Sequence, residues 1–219
     1  LKTSRLLGIL EVLRKTFPNL QRVSTYAAPK DILRKSVEEL SQLREAGLKL
    51  FNYGMESGDS VTLKAVNKGV DGPESIEAGK RVIAAGIKLS MMIILGLAGA
   101  DGTERHALET AKAISEIKPT YLSALCLMLY RGSELKDQFE RGEFHPMPPY
   151  GLMEELKMIL SNIQWGEGSH CIFRSNHVSN YVPLAGTLPK DNANILKALD
   201  YSIVQLKKQK KWDVYNHSF

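Results

Sequence analysis

Cysteine is almost absent: two residues, Cys126 and Cys171, stand in a chain of 219. Two cysteines cannot make a disulfide framework, which points to a reducing cytoplasm. No long hydrophobic run occurs. The most apolar stretch, Met91–Ala100, is about half of what a membrane helix needs and holds two glycines. The apolar run Leu6–Leu10 is too short for the apolar region of a secretory signal and leads straight into Glu11 and Arg14. No CxxC and no HxxxH spacing is present, although His170, Cys171 and His177 lie near one another, so a metal site scores poorly. No Gly-x-Ser-x-Gly elbow, no Ser-His-Asp order and no phosphate-binding loop ending in Lys-Ser/Thr appears.

What is present is the balance of a folded globular protein: 43% hydrophobic, 24% charged and net charge +5. This excludes a disordered chain, a collagen and a coiled coil. Part of the positive surplus clusters in Lys207, Lys208, Lys210 and Lys211. With no aromatic residues interleaved, it reads as a solvated helix end rather than a nucleic-acid surface.

The pattern alternates helix and strand. Leu6, Leu10, Leu13 and Phe17 share a helical face that Pro18-Asn19 ends, and Arg22–Ala27 reads as a strand. Ser36 with Glu39 forms a capping box before a stripe of Val37, Leu40 and Leu43, and Gly47 closes that helix. Strands follow at Leu48–Met55, Ile87–Leu95 and Tyr121–Leu129, the last two apolar enough for burial on both faces. Between them lie helices over Val61–Asn67, from Pro73 to Gly86, and from a Thr103 cap to Pro119. After Tyr130 the expectation is helical: Glu134–Glu140, Met153–Ile163 and Ala193–Leu206, with a polar stretch at Ser169–Pro183. Such alternation implies parallel strands with helical crossovers, either doubly wound or barrel-like. Both place chemistry on loops at the strands' C-terminal ends. The expected division is a barrel part over 1–130 and a helical extension with its polar loop, packed on the barrel, over 131–219.

Three segments carry the candidate chemistry. Glu56 follows a strand within Gly54-Met55-Glu56-Ser57-Gly58-Asp59, where a carboxylate can accept hydrogen bonds from vicinal hydroxyls such as those of a ribose. Capping of the next helix falls to Asp59 or Ser60 and does not need Glu56. Gly96, Gly99 and Gly102 lie between a buried strand and a helix start, where backbone N–H groups can face a nucleotide or phosphate. Phe173–Tyr181 concentrates Arg174, Asn176, His177 and Asn180, a donor-rich loop without an acid; it either clamps an anionic or amide-bearing ligand or satisfies backbone groups locally. Cys126 lies in an apolar strand and reads as core.

The block Gly54–Asp59, with Leu63-Lys64-Ala65-Val66-Asn67-Lys68-Gly69, resembles a signature of radical S-adenosylmethionine (radical SAM) enzymes, in the branch of elongator-complex and methylthiotransferase-like proteins. Ile93–Glu104 resembles that branch's glycine segment, and Phe173–Pro189 is similar to a tail of poorly characterised bacterial radical SAM oxidoreductases. The resemblance implies a partial (β/α) barrel with parallel strands and outer helices. It implies S-adenosylmethionine (SAM) and a [4Fe-4S] cluster as cofactors, an external electron donor, and a substrate it does not name. On it, Glu56 meets the ribose hydroxyls or methionyl group and Lys68 the carboxylate, with Ser57 in the same block, while Gly96, Gly99, Leu127 and Met128 border the adenine. Arg174, Asn176, His177 and Asn180 are the substrate candidates.

The Cys-x-x-x-Cys-x-x-Cys motif that binds the family's cluster is missing, and four strands are counted where six belong. Both point to the C-terminal portion of a longer enzyme, without cluster or activity by itself, with the strand Arg22–Ala27 at an open edge prone to self-association. Two other readings remain at this point: a degenerate barrel that binds a nucleotide or protein without catalysis, and a non-radical enzyme acting on a phosphorylated metabolite.

Overall fold

A computed structural model describes residues 1–209; Lys210 and Lys211 of the lysine cluster lie outside the described residues. The order is α1 (Thr3–Thr16), β1 (Val23–Ala27), α2 (Pro29–Leu33), α3 (Val37–Glu45), β2 (Leu48–Glu56), α4 (Ser60–Ala65), α5 (Gly72–Ala84), β3 (Lys88–Leu95), α6 (Gly99–Ile117), β4 (Tyr121–Cys126), α7 (Glu134–Glu140), α8 (Pro149–Asn162), β5 (Cys171–Ser175), β6 (Leu184–Leu188) and α9 (Asn192–Lys208). Two local signals act as read: Ser36 and Glu39 form both halves of a capping box on α3, and Asp59 caps α4. The α5 helix begins at Gly72, one residue before Pro73, and adds a capping box of Asp71 and Glu74 that the sequence reading did not name.

The six strands lie in sequence order across one sheet, β1 to β5 parallel and β6 antiparallel to β5. Each parallel strand sits beside its predecessor. Right-handed crossovers that always step in one direction put their helices on one face of the sheet. That selects the barrel-like alternative over the doubly wound one, which must reverse direction. Burial alternates accordingly. On β2, Tyr53 and Met55 are buried while Asn52, Gly54 and Glu56 are half-exposed. On β3, Met91, Ile93 and Leu95 are buried while Ser90, Met92 and Ile94 are half-exposed. Burial of β3 and β4 on both faces is therefore corrected: one face meets the helices and the other stays partly open.

The strand count is also corrected. The polar stretch Ser169–Pro183 contains β5 and runs into β6, so the sheet continues past residue 130. Phe173 and Cys171 are buried there, and Arg174 stands on the open face. The α6 helix begins at Gly99, a turn earlier than the expected Thr103 cap. Beyond the sheet, α9 lays Ile195, Leu199 and Ile203 against α8. Lys207 is not a free cation: it pairs with Glu154 at 2.6 Å and lies over the Tyr150 ring. The outer edge of β1 has no strand partner among the described residues.

Candidate functional site

Glu56 ends β2 with φ 64°, a left-handed conformation that costs a side-chain-bearing residue about 1–3 kcal/mol. A bulge in the β2–β3 pairing falls between Gly54 and Glu56 and re-aims the carboxylate. That carboxylate folds back over the strand, so that a Cβ at Gly54 would lie 2.2 Å from Glu56 Oε1. A side chain at 54 would therefore displace the end of the Glu56 side chain. The same oxygen receives Lys68 Nζ at 2.9 Å, with both side chains about one-fifth exposed. Lys68 reaches it from the turn that follows α4. Here the structure joins two residues that the sequence placed twelve positions apart.

The turn after Glu56 is docked on α6. Ser57 is fully buried; its Oγ accepts the Asp59 N–H and lies 2.8 Å from His106 Nδ1. The Gly58 N–H donates to Thr110 Oγ1 at 3.0 Å, and a Cβ on Gly58 would strike the Glu109 carbonyl at 2.2 Å. Asp59 accepts from the N–H groups of Val61 and Thr62 and from Arg105 Nε. Burial pushes its carboxyl up, but the bonds from Thr62, Arg105 and the backbone hold it below the ordinary value. Ser57 therefore anchors the turn and presents no free hydroxyl to the open face.

Gly96 follows β3 with φ 78°, as the left-handed turn requires. Its N–H donates to Glu155 Oε1 at 2.7 Å, and Leu152 of α8 packs where its Cβ would be. The Gly99 N–H donates to the Gly96 carbonyl, and the Ala100 N–H to the His145 carbonyl. The expectation that Gly96 and Gly99 offer N–H groups to a nucleotide or phosphate is corrected. Their donors are used within the chain, and the start of α6 is covered by residues 144 and 145.

Leu127 extends β4, donating its N–H to Leu95 O at 2.9 Å, and both Leu127 and Met128 are half-buried. Glu56, Gly96 and Leu127 thus stand at the C-terminal ends of the neighbouring strands β2, β3 and β4.

The donor-rich loop divides. The β4–β5 pairing stops at Ser123 and Arg174. Beyond it, Asn180 Nδ2 donates to Ala124 O at 2.9 Å and Ser179 Oγ accepts the Cys126 N–H at 3.2 Å. Two side chains continue a ladder that the backbone has left. His177 Nδ1 is bonded to Ser179. Asn180 and His177 therefore serve the fold, which is the local reading of the pair left open above. Arg174 donates to its own strand's Phe173 carbonyl and remains exposed, as does Asn176.

Two functional candidates escaped the sequence. His106 and Glu155, 0% and 1% exposed, lie beneath the two turns, with Nε2 to Oε1 at 3.6 Å. Burial pushes the Glu155 carboxyl up to about 7, against hydrogen bonds from Thr103 and Gly96. Burial draws His106 down to about 4, opposed by Asp59. The available signal was a lone glutamate on the apolar face of a helix over Leu152, Met153, Leu156 and Ile159.

Among the described residues no group of three or more His, Cys, Asp or Glu could hold a metal ion. Cys126 and Cys171 are buried, each thiol pushed up to about 12 by desolvation. The residues present do not fit an iron–sulfur cluster. No helix among the described residues is long and apolar enough to cross a membrane.

No protein-family model matches the chain. An uncharacterised protein of Methanocaldococcus jannaschii is 28% identical over 120 residues, 54% of this chain and 37% of that protein. That relative is archaeal and lends no support to the bacterial kinship read from Phe173–Pro189. Among solved structures, archaeal Methanocaldococcus infernus Elp3 superposes with TM-score 0.58 at 17% identity, covering 86% of this chain and 42% of that one. Coproporphyrinogen III oxidase of Escherichia coli, a radical SAM enzyme, gives 0.51 at 15% identity, covering 94% and 38%. Methylornithine synthase gives 0.52 at 10% identity, covering 94% and 66%. The chain has the partial-barrel α/β fold of these proteins, and it spans about two-fifths of the length of the first three relatives.

Proposed function

We propose that this chain is the SAM-binding part of a radical SAM enzyme of the elongator-like branch. The observation that carries the reading is the Glu56–Lys68 pair: a carboxylate on a left-handed backbone and an ammonium, joined at 2.9 Å and about one-fifth exposed at a parallel strand's C-terminal end. A free zwitterionic amino-acid head would exchange partners with such a pair, its ammonium or the ribose hydroxyls taking Glu56 and its carboxylate taking Lys68. These residues fit SAM, which together with a [4Fe-4S] cluster supplies a 5′-deoxyadenosyl radical on reductive cleavage. The cluster has no ligands among the described residues, and its cysteines are assigned to the part of the relatives that this chain does not span.

In this reading Glu56 and Lys68 orient the methionyl and ribose groups, and Leu127 with Met128 gives the adenine an apolar wall. Met92 and Ile94 keep water from the open face. Arg174 and Asn176, exposed beside that face, receive an anionic part of the substrate. An external electron donor, a cytoplasmic setting and a strand partner for the open edge of β1 complete the proposal. The internal use of the Gly96, Gly99 and Ala100 donors favours it over an enzyme of phosphorylated metabolites.

The test is equilibrium SAM binding beside iron content, in the longer protein that carries the cluster cysteines, reconstituted anaerobically with iron and sulfide. Glu56→Gln removes a charged acceptor worth about 1.5–3 kcal/mol, so affinity falls roughly ten- to a hundredfold while iron content stays. A Glu56→Gln protein that binds SAM like the parent makes Glu56 structural. A parent that holds iron yet never forms 5′-deoxyadenosine under a strong reductant removes the radical SAM reading.

A further inference from the structure

The two turns that border the site are tied to α6, one directly and the other through Glu155 of α8. On α6, Thr103, His106 and Thr110 recur at helical spacing and face the sheet side. Thr110 and His106 grip the Glu56 turn through Gly58 N–H and Ser57 Oγ. Thr103 grips Glu155 Oε2, whose other oxygen holds the Gly96 N–H. His106 Nε2 is fully buried and makes no well-formed hydrogen bond, the Ile94 carbonyl being the backbone acceptor that acts on the ring. Facing it at 3.6 Å is Glu155 Oε1, the same oxygen that holds Gly96. A buried ring nitrogen without a well-formed bond is costly, and a movement of well under 1 Å toward Oε1 would satisfy it. In an interior from which water is excluded, the two groups also interact more strongly than they would at the surface.

We propose that His106 and Glu155 are positioning residues that bridge the Glu56 turn to the Gly96 turn, so that the two walls of the ligand site hold one relative placement. The order of contacts is Ser57, His106, Glu155, Gly96. None of the four touches the ligand in this assignment through its side chain. Their effect on binding passes through Glu56 at one end and through the strand ends of β3 and β4 at the other. The positioning role rests on the SAM reading above; the bridge itself does not.

The discriminating measurement is amide hydrogen exchange across the bridge. His106→Phe keeps an aromatic ring, somewhat larger than imidazole, and removes both nitrogens, leaving the Gly96–Glu155 bond untouched. Glu155→Leu does the converse. With the bridge intact in the parent, His106→Phe speeds exchange of the Gly96 amide about tenfold, and Glu155→Leu does the same to the Asp59 amide that rests on Ser57 Oγ. Glu155→Gln retains an acceptor for Gly96 and restores its protection. Ser57→Ala cuts the same chain by one hydroxyl and serves where His106→Phe does not fold. Exchange changes confined to each variant's own turn overturn the bridge. SAM affinity is then read on the same variants of the longer, cluster-bearing protein. A parent that binds SAM, with variants that bind it equally well, overturns the positioning role. A parent that binds no SAM but shows the cross-bridge exchange leaves the bridge standing and sinks the SAM reading instead.

Discussion

Gly54→Ala separates the site from the fold. The added methyl would stand 2.2 Å from Glu56 Oε1 and 3.2 Å from its carboxyl carbon, with Lys68 Nζ at 3.5 Å. Ordinary contact begins near 3.5 Å, so the carboxylate must retreat by about 1 Å or more and the pair with Lys68 cannot keep its geometry. The backbone has no such difficulty, because Gly54 is not among the residues with positive φ. Alanine there stabilises through the unfolded chain by about 0.4–1 kcal/mol. The disturbed ion pair, part-exposed on both sides, costs a similar amount. Net stability therefore changes by less than about 1 kcal/mol. Ligand binding has no such compensation: one displaced charged acceptor is worth about 1.5–3 kcal/mol, a loss of roughly ten- to a hundredfold in SAM affinity. The assay pairs denaturant unfolding with equilibrium SAM binding. Unchanged stability with unchanged affinity would refute the assignment of Glu56, and a collapse in stability would refute the claim that the collision is confined to one side chain.

Stability should also depend on pH through the buried pair. Glu155 is raised from 4.5 to about 7, so the folded state holds a proton that the unfolded chain has lost, and stability falls as pH rises through that window. His106 is lowered from 6.5 to about 4, so stability falls as pH drops from 6.5 toward 4. The two slopes oppose each other below about 6.5, and Glu155→Gln should remove the first and leave the second bare in denaturant midpoints taken between pH 4 and 8. At the other end of the sheet, Asn180→Ala leaves the Ala124 carbonyl without its side-chain donor and should cost about 1–3 kcal/mol. Wild-type stability in that variant would mean the loop does not extend the β4 ladder.

Much of this protein was written in local signals. Ser36 with Glu39, Asp71 with Pro73, and Gly47 mark helix ends because capping depends on residues within a turn of one another. The strands β2, β3 and β4 were legible because their apolar runs are long. Glu56 with Lys68 was legible as a motif, since α4 and its turn return Lys68 to the strand end within one short segment. The strands β5 and β6 were not legible. Cys171–Ser175 holds an apolar run of only three residues, Cys171, Ile172 and Phe173, amid Ser, Asn and His, and it becomes a strand because β4 offers it an edge. Nor did the sequence tell that the Gly96 N–H is already taken. Its acceptor, Glu155, stands 59 positions away on α8, and a hydrogen bond across that separation exists only once helix and strand have packed. The bridge from His106 to Glu155 is of the same kind. A buried histidine and a buried glutamate read as isolated polar residues on apolar faces until tertiary packing excludes water and brings them to 3.6 Å.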